Sequence, residues 1–102
     1  MIICDEMKKL RGELDKRGIA WVDVSEDNFP GIDLWICRTH FRYGKYQVSV
    51  INGFGTYGGF FFSEKENEGM LEMMANCVNG GEPEGHLTAN EVMKILDGIV
   101  TL

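Results

Sequence analysis

The sequence predicts an α+β domain: a three- to four-stranded antiparallel sheet with a central β-hairpin and three short flanking helices. Two runs rich in β-formers, residues 34–43 and 45–52, meet at a single glycine, Gly44. Apolar residues elsewhere recur every three or four positions, the period of an amphipathic helix. Thr88 and Glu91 stand in the spacing of a capping box, which opens a helix.

The first helix is predicted over residues 5–17. Asp5 is placed to cap it, and Glu6 lies in its first turn, where a negative charge suits the dipole. Ile3, Met7, Leu10 and Leu14 form one apolar stripe. Gly18 ends the helix, and Gly12 is its weak interior point. Residues 19–24 read as a strand, and residues 25–33 as a loop marked by Pro30 and Gly31.

In the hairpin, a two-residue turn at Tyr43-Gly44 sets Arg42 opposite Lys45, His40 opposite Gln47 and Arg38 opposite Ser49. The other face then pairs Phe41 with Tyr46, Thr39 with Val48 and Cys37 with Val50, so polar and apolar faces separate cleanly. Gly53, Gly55, Gly58 and Gly59 predict an irregular segment, followed by Phe60, Phe61 and Phe62 as a fourth strand or an apolar plug. A second helix is predicted over residues 68–78, with Met70, Leu71, Met74, Cys77 and Val78 inward. Residues 81–86 read as a loop. The last helix turns Val92, Ile95, Leu96 and Ile99 inward.

The chain has 102 residues, the size of one domain, and its hydrophobic fraction of 44% supports a core. No apolar run approaches the roughly 20 residues of a membrane span, and the N-terminus lacks a signal pattern. Three widely spaced cysteines, Cys4, Cys37 and Cys77, suit reduced thiols in a cytoplasm. The net charge of -6 repels phosphate backbones, which argues against sequence-specific nucleic-acid binding and suits a basic protein partner.

Two candidate surfaces follow. Arg38, His40 and Arg42 alternate along one strand and project to the same side, with Lys45 joining them across the turn. Such a cationic strip suits an anionic small molecule such as a nucleotide. The G-x-G-x-x-G run of Gly53, Gly55 and Gly58 lacks the βαβ setting of a dinucleotide fold, but its amides are candidates for an anion nest, with Tyr57 and Phe54 stacking on a ring. The second surface is acidic: Asp23, Glu26 and Asp27, with Glu64, Glu66 and Glu68, are candidate contacts for a protein. Cys37 and His40 have zinc-like spacing, but strand residues three apart face opposite sides, so no metal or other cofactor is expected. His40 and His86 are the candidate acid–base groups. No nucleophile accompanies them, so an enzyme is not expected.

Three segments, LRGELDKRGIAW, HFRYGKYQVSVINGFGTYGG and GHLTANEVMKIL, resemble small accessory proteins of bacterial phages and prophages. The resemblance implies a protein acting inside the bacterial host cell and carries over no catalytic residues. Small acidic phage proteins include inhibitors of host defence, among them anti-CRISPR proteins, and sequestering proteins for signalling nucleotides. The expectation is a non-enzymatic inhibitor of a host effector acting by protein–protein contact, with capture of an anionic small molecule as the alternative. A sheet edge or the methionine-rich segment also offers a surface for a homodimer.

Overall fold

Cys4 ends an extended lead-in, and α1 (Asp5–Lys16) starts directly after it without a side-chain cap, so Asp5 serves the first turn and not the cap. Its buried face is Met7, Leu10, Arg11 and Leu14. The chain leaves α1 through Gly18, whose φ of +71° lets Ile19 N–H reach back to the Leu14 carbonyl at 2.8 Å. The computed structural model describes residues 1–27 and 34–100, so the predicted turn at Pro30 and Gly31 lies outside the described residues.

Five strands follow: β1 (Trp21–Asp23), β2 (Ile36–Tyr43), β3 (Tyr46–Gly53), β4 (Leu71–Ala75) and β5 (Glu84–Leu87), and α2 (Ala89–Val100) closes the described fold. The strands form one antiparallel sheet in sequence order. The α+β class stands, but the sheet has five strands, and the described residues hold two α-helices.

Both helices pack on one face of this meander. Met7, Leu10 and Leu14 of α1 join Val92, Met93 and Leu96 of α2 over Cys37, Phe41, Val48, Val50, Leu71 and Met73 of the sheet. Arg11 is buried among them. Its Nε donates to Thr39 Oγ1 at 2.8 Å, and its guanidinium lies 4.7 Å from the Trp21 ring centre. Such a charge is tolerated in a core because it is bonded and stacked. The predicted capping box forms as drawn: Thr88 N–H donates to Glu91 Oε1 and Glu91 N–H to Thr88 Oγ1.

The predicted second helix is strand β4. Its stripe of Met70, Leu71, Met74, Cys77 and Val78 does not form, and Leu71, Met73 and Ala75 alternate inward instead. Pairing with β3 on one side and β5 on the other overrides the helix preference of Leu, Glu and Met. Residues 84–86, expected in a loop, belong instead to β5, an edge strand.

The hairpin register also differs. Tyr43 pairs with Tyr46, Arg42 with Gln47, His40 with Ser49 and Arg38 with Ile51, so the turn is Gly44-Lys45. Gly44 has φ of +61°, as the first central residue of a type II′ turn requires, and a Tyr43-Gly44 turn would force Tyr43 into that region. Every pair moves by two positions, an even number, so each side chain that stays in the strands keeps its predicted face, while Lys45 passes into the turn.

Candidate functional site

The helices cover one face of the sheet and leave the other open. Val22, His40, Ser49 and Met74 form a row across four strands of that open face. Arg38, His40 and Arg42 share it as predicted. Arg38 is tied to Glu26 by a 3.2 Å ion pair, and His40 Nε2 shares a 3.1 Å hydrogen bond with Ser49 Oγ. Lys45 does not join the strip, because it sits in the turn with its Nζ 5.4 Å from the Tyr46 ring centre. The groove beside the strip holds about 210 Å3, and Glu72 and Met74 line it with Arg38, His40, Ser49 and Ile51. A carboxylate therefore stands within the cationic site.

Glu72 is buried because it serves the glycine-rich segment, accepting from Tyr57 N–H at 3.0 Å. The segment folds against the ends of β3 to β5. Gly58 and Gly59 carbonyls accept from Met70 and Glu68 N–H, and the Tyr57 carbonyl accepts from His86 N–H. Tyr57 packs closely on Gly85, where a Cβ would lie 2.3 Å from its own Cβ. Asn52, fully buried, locks this knot. Its Nδ2 donates to the Met70 carbonyl and to Asn67 Oδ1, both at 2.9 Å, and Asn67 Nδ2 returns a 2.8 Å bond to Asn52 Oδ1. The N–H groups of Gly53, Phe54, Gly55, Thr56, Tyr57, Gly59 and Phe60 all donate within the chain. These amides hold the loop's own carbonyls, Thr56 Oγ1, Trp35 and Glu72, which leaves little of an anion nest.

This rigid segment presents a different surface. Phe60 plugs the core against Trp35, with ring centres 5.2 Å apart. Its neighbours cannot follow it inward from an irregular backbone: Tyr57 is 55% exposed, Phe61 57% and Phe62 90%. They line a groove of about 290 Å3 with Glu66, Glu68 and His86. His86 Nδ1 and Glu68 Oε2 are 3.0 Å apart. Clustered exposed aromatics mark an interaction surface in a way that scattered ones do not.

No protein-family model, curated protein or solved structure matches the chain.

The chemistry of the surface itself then carries the argument. The six candidate acids divide into two kinds. Asp23 accepts from Ser25 N–H and Oγ–H, and these bonds hold its carboxyl below the usual range; Arg11 adds to the effect. Asp27 lies 3.4 Å from the chain's amino group, Glu26 serves Arg38, and Glu64 accepts from Trp35 Nε1 at 2.9 Å. These four are committed to the fold. Glu66 makes no side-chain bond among the described residues, and Glu68 uses one oxygen on His86. Both border the exposed rings. Sequence reasoning missed Phe61 and Phe62 as site residues and offered His86 only as a candidate acid–base group. The available signal was the run of three phenylalanines in a glycine-rich, irregular stretch, where a single core position takes only one.

Cys37 faces the core and His40 the open face, so they do not converge on a metal. Burial pushes the Cys37 and Cys4 thiols up. Among the described residues no group of three or more His, Cys, Asp or Glu is arranged to hold a metal ion, and no helix is long and apolar enough to cross a membrane. The His40–Ser49 pair lies on the open sheet face, where both residues line the groove of about 210 Å3.

Proposed function

We propose that the chain is a non-enzymatic binding protein that docks a basic protein partner on the aromatic groove of Tyr57, Phe61 and Phe62. In the phage setting that the sequence resemblance implies, docking would block a host effector, the mode of an anti-defence inhibitor. The observation that carries this reading is the exposure of three large aromatics around one groove bordered by Glu66 and Glu68. Aromatic residues at the centre with charges at the rim are the composition of a protein interface. The net charge of -6 favours a partner of opposite sign. The Tyr57–Gly59 side of the groove is fixed by backbone bonds, which lowers the ordering cost of association.

Native mass spectrometry of protein purified from a bacterial host tests the proposal. The expected result is a co-purifying basic protein that F61S/F62S loses and R38E/R42E keeps. A retained anionic small molecule that R38E/R42E alone loses would reject it in favour of ligand capture on the strip.

A further inference from the structure

We infer that the groove between Tyr57, Phe61 and Phe62 receives one arginine side chain of the partner, with Glu66 and the second carboxylate oxygen of Glu68 gripping its guanidinium. This inference rests on the docking surface proposed above and names the group that anchors it.

The lining decides the chemistry. Four aromatic residues, Tyr57, Phe60, Phe61 and Phe62, contribute to the walls, and the polar groups of the lining include two carboxylates and one imidazole. Neither lysine nor arginine lines the groove. Elsewhere the chain supplies cations to its own rings: Arg11 lies over Trp21 and Lys45 over Tyr46. Among the described residues the rings of Tyr57, Phe61 and Phe62 face no such cation. Nor, among the described residues, does Glu66 have an internal counter-ion. The groove thus combines ring faces and carboxylates, the two features that attract a cation, and holds none of its own.

Arginine fits better than lysine. A guanidinium is planar, stacks on aromatic faces and offers a fork of donors to carboxylates, whereas an ammonium is a compact, strongly hydrated charge. His86 Nδ1 lies 3.0 Å from Oε2 of Glu68, which leaves Oε1 of this groove-lining carboxylate for a donor. The backbone bonds of Tyr57, Gly58 and Gly59 to His86, Met70 and Glu68 hold the Tyr57 side of the groove before any partner arrives.

Blocked five-residue peptides, Gly-Ser-X-Ser-Gly with X as arginine, lysine or citrulline, separate the outcomes. They are titrated to about 10 mM while the amide NMR signals of the protein are followed. The arginine peptide should shift Gly58, Gly59, Glu66, Glu68 and His86. The lysine peptide should bind about threefold or more weakly and the neutral citrulline peptide should give no shift. E66Q/E68Q, confined to exposed side chains, should weaken the arginine peptide about tenfold. Equal binding of arginine and citrulline peptides, equal binding of arginine and lysine peptides, unchanged binding by E66Q/E68Q, or no shift at all would each overturn the anchor. The docking surface would still stand if the partner retained its dependence on Phe61 and Phe62. Loss of both would remove the two readings together.

Discussion

Asn52 shows how one polar residue fixes a loop. Its side chain is fully buried, yet its amide bonds the Met70 carbonyl and the Asn67 side chain, and receives a bond back. Replacing it with alanine strands the Met70 carbonyl and the amide nitrogen of Asn67, while Asn67 Oδ1 keeps its 2.9 Å bond from Gly69 N–H. Buried groups left unpaired cost about 1–3 kcal/mol each, so N52A should lose about 2–4 kcal/mol in denaturant unfolding. Tyr57 and His86 should show the earliest hydrogen exchange. Asp97 makes a different kind of contribution. It receives two bonds from Arg17, at 3.0 and 3.2 Å, and a further one from the Tyr43 hydroxyl, so it joins α2 to β2 and to the residue that ends α1. Arg17 first and Tyr43 second hold its carboxyl below the usual range. A depressed carboxyl adds stability above its unfolded pKa, near 4, and loses it as pH falls through the lower folded value. D97N should therefore lower stability at neutral pH and flatten the acid side of a stability–pH curve, read by thermal unfolding from pH 7 to pH 2. The hydroxyl works in the opposite sense: the bond to Asp97 pushes Tyr43 up, so its contribution is present below its unfolded pKa, near 10, and is lost as pH rises through the higher folded value.

At the scale of the element, α1 carries a correctable weakness. Gly12 lies on the exposed face of the helix, and a Cβ there meets nothing within 4 Å. G12A should stabilise by about 0.5–1 kcal/mol and raise the Tm by several degrees, measured by circular dichroism. Both α-helices were legible in the sequence because each signal was local: an i, i+3, i+4 stripe for α1 and a reciprocal cap for α2. The faces of the hairpin were legible because a turn misplaced by one residue moves each pair by two and preserves parity. Strand β4 was not. Leu71, Met73 and Ala75 alternate, but Met70, Leu71, Met74, Cys77 and Val78 also fit a helix, and five residues do not separate the two periods. What decides is β3 and β5 on either side, which no local pattern contains. The same limit applies to the site. Alternation placed Arg38, His40 and Arg42 on the open face, but Glu72, from the misread strand, puts a carboxylate beside them.

The whole molecule places its charge and its exposed rings in positions that separate two steps of binding. The net charge of -6 acts at a distance and is screened over a Debye length of about 10 Å at 0.1 M salt. Phe61 and Phe62 act only in contact. For a basic partner, the association rate should fall steeply as salt rises, while the dissociation rate, set by the packed rings, should change little. F61S/F62S should do the reverse, leaving the salt dependence of association intact and accelerating dissociation about tenfold or more. Because both side chains are exposed, that variant should unfold within about 0.5 kcal/mol of the parent, so lost binding would not reflect lost folding. Surface plasmon resonance at several salt concentrations reads both rates in one experiment. A dissociation rate indifferent to Phe61 and Phe62 would mean that the partner sits elsewhere, with the open sheet face of Arg38, His40 and Arg42 as the next surface to probe.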